Sequence, residues 1–185
     1  MKQPEHRPWK VLSSEYLAHE AWFTVRREAV ELPNGARIPS YYVLEYPDWV
    51  NVIARTCDGR FLFIDQYRHG LGETNYEIPA GVAEPDDASM LAAAQRELAE
   101  ETGYGGGEWR ELLVVAPNPA TQSNLTYCYL ATGVERLGAQ HLDATEDIRV
   151  HLFTAAEVRE LLTTGGIRQA LMAAPLWRYA AEYGL

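Results

Sequence analysis

Residues 88 to 104 constrain this chain more than any other stretch. They are rich in alanine, and Leu91, Ala94 and Leu98 repeat at the spacing of one apolar helical face, so the segment reads as an amphipathic helix. At 100° per residue, Glu97, Glu100 and Glu101 fall within one arc of about 100°. Like charges at i, i+4 destabilise a helix, so a compensating cation is expected. Arg96 or solvent supplies one answer. A hard divalent cation such as Mg²⁺ or Mn²⁺, which favours carboxylate oxygens, supplies another. Gly103 stands where a helix of this length would end in a left-handed residue.

A helix with one apolar stripe needs a surface to cover, and the flanking sequence offers strands. Val11 to Leu17 is a weak apolar stretch. Trp22 to Leu32 and Ala36 to Leu44 are extended segments joined by Pro33-Asn34-Gly35, a hairpin signal. Trp49 to Arg55 and Phe61 to Gln66 form a second pair around Cys57-Asp58-Gly59, with apolar runs suited to buried central strands. Tyr76 to Gly81 is a short strand entering the loop before the glutamate helix. After a flexible Gly105-Gly106-Gly107 come strands at Trp109 to Ala116, Leu125 to Ala131 and Ile148 to Phe153. A turn-rich loop (118–124) and an acidic loop (143–147) separate them. Thr154 is placed to cap a helix from Ala155 to Leu162, and Ile167 to Tyr183 forms a last helix with Pro175 inside it. The mixed order predicts an α+β fold with helices packed on a mixed sheet.

The 185 residues are enough for a sizeable core and are most simply one domain, with residues 1–48 as an N-terminal β-extension and 49–185 as the core. No apolar run approaches the length of a membrane span. The N-terminal segment Met1 to Trp9 has no signal-peptide core, so a cytoplasmic location is expected. Cys57 and Cys128 have no metal-ligand spacing and read as reduced thiols. A net charge of −10 argues against general affinity for nucleic acid or an anionic membrane. An anionic substrate would therefore need local help from arginines or metal ions. The histidines at 6, 19, 69, 141 and 151 show no ligand spacing.

The pattern Arg96-Glu97-Leu98-x-Glu100-Glu101-x-Gly103-Tyr104, preceded by Gly81, resembles the Nudix box. The interval from Gly81 to Arg96 is one residue longer than that pattern. Held in register at the glycine, Asp87 takes the upstream acidic position; held at the helix, Ala88 does. One inserted residue in Glu84-Pro85-Asp86-Asp87 accounts for the difference. Tyr76-Glu77-Ile78-Pro79-Ala80-Gly81 and Gln66-Tyr67-Arg68 are similar to the ADP-ribose pyrophosphatase branch, as is the N-terminal β-extension.

The resemblance implies a Nudix fold, an α/β/α sandwich around a mixed β-sheet with an N-terminal antiparallel extension, and a homodimer whose N-terminal strands cross to the partner. It also implies two or three Mg²⁺ (or Mn²⁺) ions per site, held by Glu97 and Glu101, with Glu100 sharing an ion and the Ala80 carbonyl as a further ligand. Arg96 braces the glutamates within the catalytic set. Arg68 and Glu77 fall to substrate binding, Arg68 as a bidentate phosphate contact. Glu146, in Thr145-Glu146-Asp147-Ile148-Arg149-Val150, is the candidate general base, with Glu100 as the alternative; Arg149 stands where an acidic residue is common. Trp22 and Tyr41 (or Tyr42) match the stacking aromatics of the extension, with core or interface packing as the alternative role.

Three functions compete at this level. The leading one is metal-dependent hydrolysis of a nucleoside diphosphate linked to another moiety, ADP-ribose to AMP and ribose 5-phosphate. The second is the same chemistry on a nucleotide sugar such as GDP-mannose or a UDP-sugar, suggested by the amide-rich loop Asn118 to Asn124. The third is a nucleotide sensor without catalysis, against which the three helical glutamates speak.

Overall fold

The computed structural model describes residues 4–185; the first three residues, which open the N-terminal segment read above, lie outside them. The described residues divide into two compact units, residues 4–46 with 118–124, and residues 47–117 with 125–185. The inclusion of loop 118–124 in the first unit has no signal in the sequence.

The first unit is an antiparallel sheet of β1 (Lys10–Glu20), β2 (Phe23–Glu31) and β3 (Arg37–Glu45), in that order. The hairpin at Asn34-Gly35 forms as expected, with Asn34 Oδ1 accepting from the Ala36 amide at 3.0 Å. Loop 118–124 is tied to β3. Leu44 donates its amide to Thr121 O at 2.7 Å, and Ser123 donates to Leu44 O at 3.2 Å.

The second unit is an eight-stranded mixed sheet. Its central path runs β11 (Ile148–Phe153), β5 (Phe61–Arg68), β4 (Trp49–Thr56), β10 (Thr126–Arg136), β8 (Tyr104–Gly105). β4 and β10 are parallel, with Asn51 opposite Cys128. β9 (Glu108–Val115) lies antiparallel on β10. One helix, α1 (Met90–Thr102), covers a face built of Val50, Val52, Ala54, Leu62 and Ala131 with its own Ala93, Ala94 and Leu98. The other face, with Ile53, Phe61, Phe63, Ile78 and Leu130, is covered by α2 (Ala155–Thr163) and α3 (Ala170–Tyr183). Adjacent residues Val52 and Ile53 serve opposite faces, as the two-residue period of a strand requires. The result is an α/β/α sandwich.

Two features of this sheet position the site. β4 and β5 pair only at Ala54–Leu62 and Arg55–Phe61. Beyond that they part, and the chain 73–82 fills the gap: β6 (Glu73–Glu77) pairs with β5, and β7 (Ala80–Val82) with β4. The single strand expected over Tyr76 to Gly81 is thus broken at Ile78-Pro79, because proline has no amide for a ladder; the Pro79 carbonyl accepts from Val52 N at 2.9 Å. The second feature is α3. Pro175 lacks the N–H that would bond the carbonyl four residues back, and that carbonyl, on Leu171, accepts instead from Asn51 Nδ2 at 2.9 Å. The helix begins at Ala170 rather than Ile167, and the side chain of Gln169, at its N-terminus, makes no cap.

Candidate active site

α1 starts at Ser89, whose hydroxyl accepts from Ala92 N at 3.1 Å, and stops at Gly103 with φ 73°. A side chain at Gly103 would be excluded twice, by that φ and by Gly138 O, which a Cβ would crowd. Between these ends, Glu97 and Glu101 face β7. A Cβ at Gly81 would overlap the Glu97 carboxylate, so glycine is what lets the strand come this close. Glu101 is 3% exposed, and its Oε2 accepts from the Ala80 amide at 2.9 Å.

Arg96 contacts the acidic one of the two upstream residues, Asp87. Its Nε donates to Asp87 Oδ1 at 3.2 Å and its Nη2 to Asp87 Oδ2 at 3.0 Å and to Val82 O at 2.9 Å. Its Nη1 reaches Glu97 Oε1 and Glu100 Oε2, each at 3.0 Å. All five guanidinium donors are committed, which leaves none for a substrate and makes Arg96 a brace. Arg96 holds the Asp87 carboxyl below the usual range, and the Glu84 amide donates to it at 2.8 Å. Glu100 is turned outward, its side chain 43% exposed.

Burial pushes Glu97 up against the opposing pull of Arg96, with Glu100 and Glu146 adding to the rise. Burial pushes Glu101 well above the ordinary carboxylate range; the Ala80 amide pulls it back, and Glu97 and Glu146 push it further. Glu146 is therefore within electrostatic reach of both. It sits in a tight turn, its amide donating to Asp143 O at 2.9 Å and its carboxylate accepting from Asp143 N at 3.0 Å. Gln140, which the sequence did not single out, joins this loop to the helix. Its Nε2 donates to Glu101 O at 2.6 Å and to Ile148 O at 3.3 Å.

The donor set suits a hard divalent cation. Buried carboxylates crowded by like charge are costly to ionise unless a cation lies among them. Among the described residues, no three acidic, histidine or cysteine side chains converge into a complete ligand group; Arg96 holds one oxygen each of Glu97 and Glu100.

Arg68 differs from the expectation of a free phosphate grip. Its Nε and Nη2 donate to the fully buried Glu77 at 2.8 and 2.5 Å, and this pairing raises its pKa against the opposing effect of burial. The Gln169 amide nitrogen, turned toward Glu77, donates to both its oxygens at 3.2 and 3.1 Å. Nη1 of Arg68 remains available, and the residue lines a cavity of about 300 Å³ together with Ala80 and Gly81. Glu77 is thus a partner that orients Arg68 rather than an exposed contact. Trp22 and Tyr41 belong to the first unit. Trp22 is 68% exposed at the β1–β2 turn with φ 66°. Tyr41 packs edge-on against Trp9 and donates its hydroxyl to Ala120 O.

Comparison with known proteins agrees with this geometry. The profile of the nucleoside diphosphate sugar hydrolase N-terminal domain matches residues 9–44, and that of the NUDIX domain matches residues 45–173. The chain is 31% identical over 162 residues to an ADP-ribose pyrophosphatase of Mycobacterium tuberculosis, covering 86% of this chain and 77% of that protein. It is 30% identical over 157 residues to an ADP-ribose pyrophosphatase of Bacillus subtilis, covering 84% and 81%. A crystal structure of an ADP compounds hydrolase superposes with TM-score 0.83 at 21% identity, covering 99% of this chain and all of that one, which establishes the fold. With a NUDIX profile over most of its length and the glutamate helix, glycine contact and arginine brace in place, the chain belongs to the Nudix hydrolase family.

Proposed function

We propose that this enzyme hydrolyses the pyrophosphate bond of a nucleoside diphosphate linked to a second moiety, converting ADP-ribose to AMP and ribose 5-phosphate with Mg²⁺, or Mn²⁺, in two or three sites. The observation that carries this reading is the pair of half-buried Glu97 and buried Glu101 on one helical face, packed against Gly81 and the Ala80 amide, with Glu146 near enough to raise both. Bound divalent ions neutralise the charge of a pyrophosphate and orient a water for in-line attack. The chain's own residues do the rest. Glu97 and Glu101 supply carboxylate oxygens, the Ala80 carbonyl adds a neutral one, and Glu100 shares an ion from its outward position. Glu146 takes the proton of the attacking water. Arg96 opposes the upward push of burial on Glu97 and holds it in place, and Arg68, oriented by Glu77, presents Nη1 to a phosphate oxygen. The adenine end falls to Trp22 and Tyr41 of the N-terminal sheet, in a homodimer whose N-terminal strands are exchanged. Likeness to ADP-ribose pyrophosphatases of two organisms supports the choice of substrate.

The test is a panel of ADP-ribose, ADP-glucose, GDP-mannose and a UDP-sugar, each assayed with Mg²⁺ and with Mn²⁺, the products resolved by chromatography. AMP and ribose 5-phosphate should appear, with ADP-ribose the preferred substrate. Preference for a nucleotide sugar would replace the substrate but keep the chemistry. Failure to cleave any of the four with either metal would sink the proposal.

A further inference from the structure

The start of α3 gives up helix stability at two places, and each released group turns to a strand bordering the gap between β4 and β5. Gln169 is the N-cap residue, a position where a side-chain oxygen ordinarily satisfies an orphan amide of the first turn, yet it makes no such bond. Its amide nitrogen is turned instead toward Glu77 on β6 and donates to both carboxylate oxygens, at 3.2 and 3.1 Å. Pro175 frees the Leu171 carbonyl inside the helix, and Asn51 on β4 donates to it at 2.9 Å. Arg168, just before the cap, donates from Nη1 to Glu73 at the other end of β6 at 2.6 Å. Residues 168 to 171 are thus fastened to both β4 and β6. What the inner fastening fixes is Arg68. Glu77 is fully buried, and a carboxylate offers about four lone-pair sites. Arg68 takes one on each oxygen, with Nε at 2.8 Å and Nη2 at 2.5 Å, and Gln169 bridges the same two oxygens from a different element. Without Gln169, Arg68 would be the remaining partner of this carboxylate among the described residues, and the two could turn together. An arginine gives up much side-chain freedom when a ligand fixes it. Here the ordering precedes the ligand, and Nη1 stays uncommitted on a residue that lines the cavity.

We propose that Gln169 is a positioning residue: from the start of α3 it locks the Glu77 carboxylate, and through that carboxylate it holds the Arg68 guanidinium ready for a phosphoryl oxygen. The missing helix cap follows from this role, since one amide cannot both cap α3 and bridge Glu77. The proposal rests on the reading of Arg68 as the phosphate contact in the function proposed above. Gln169 lines the same cavity as Arg68, so its action through Arg68 has to be separated from a direct touch on the ligand.

The test is titration calorimetry of the intact protein with α,β-methylene-ADP and Mg²⁺, a probe whose bridging carbon prevents cleavage. Wild type is compared with Gln169→Met, Arg68→Ala and the double variant. Methionine keeps the length of the side chain and removes its donors. Gln169→Met should weaken binding about tenfold, the lower end of what a hydrogen bond to a charged group is worth. Arg68→Ala should weaken it further, and adding Gln169→Met to Arg68→Ala should change affinity by less than about twofold, because residues acting through one another are non-additive. Gln169→Asn, one methylene short of Glu77, should reproduce the loss and answers the same question if the methionine variant does not fold. Affinity within about twofold of wild type in either single variant at 169 would overturn the proposal. So would a loss that persists undiminished in the Arg68→Ala background, which would make Gln169 a direct ligand contact or a support of the fold, and so would absence of binding by wild type. A protein that binds the probe with the expected pattern yet leaves ADP-ribose intact would refute the proposed hydrolysis and keep the positioning role. Cleavage of ADP-ribose with unchanged probe affinity in Gln169→Met would do the reverse.

Discussion

At the scale of single residues, Glu146 carries the sharpest prediction. Its carboxylate accepts from Asp143 N, yet its charge pushes up both Glu97 and Glu101 on the helix. If it removes the proton of the attacking water, Glu146→Gln should lower turnover by about 10² to 10⁴, the usual cost of a lost general base. Substrate affinity should change little, because the carboxylate acts in the transition state. Glu100, exposed and holding one Arg96 nitrogen, should be the milder loss when changed to glutamine. The measurement is the rate at saturating Mg²⁺ and ADP-ribose; a fall below about fivefold for Glu146→Gln returns this residue to a solvated loop acid. Much of the site was legible at this scale, since the spacing of Glu97, Glu100 and Glu101 follows from helical period alone. The Arg96–Asp87 contact was not, because an inserted loop residue leaves the registers of Asp87 and Ala88 equal in the sequence. Asn51 and Gln140 left no sequence signal. Their contacts depend on a carbonyl freed by Pro175 and on backbone carbonyls of two distant segments.

At the scale of elements, the loop that carries Glu146 is fastened to the helix that carries Glu97 and Glu101. Gly138 and Leu137 donate to Gly103 O, His141 donates to Glu100 O, and Gln140 spans Glu101 O and Ile148 O. The expected consequence is energetic coupling between Gln140 and Glu146. Gln140→Leu should reduce turnover about tenfold in wild type and less than twofold in Glu146→Gln, since residues that act through one another are non-additive. An equal loss in both backgrounds would mean that Gln140 only supports the fold. The elements themselves were read well where periodicity was long. β11 was anticipated at its observed bounds, and Thr154 caps α2 with a full capping box. Short or interrupted elements were missed for local reasons. Tyr104–Gly105 forms β8 at the edge of the sheet, where glycines suggested only a connection, and Pro79 divides what looked like one strand into β6 and β7. Gln169 lies outside α3 with its amide turned to Glu77.

At the scale of the whole molecule, the N-terminal sheet poses a problem of cover. Val30 is the one buried hydrophobic residue among the described residues of that unit, while Val11, Leu12, Tyr16, Leu17, Trp22 and Phe23 are all exposed. A three-stranded sheet needs a hydrophobic face packed on something to be stable, and contiguous exposed apolar side chains mark interaction surfaces. A second copy of the chain is the occupant proposed here, so light scattering should give twice the 20.8 kDa of one chain. Leu17→Asp combined with Phe23→Asp should give the monomer, and activity should fall with it if the partner's strands help bind the adenine. A wild-type monomer at micromolar concentration, or a fully active monomeric double variant, would remove the shared site. Salt separates this association from one held by ion pairs. Two chains of formal charge −10 repel, and at physiological ionic strength screening acts over about 8 Å. Burial of apolar side chains is not weakened by that screening, whereas exposed ion pairs are. Raising the salt should therefore tighten the dimer, and a dimer that instead dissociates as salt is raised would place charged contacts, not the exposed apolar side chains of β1 and its turn, at its centre.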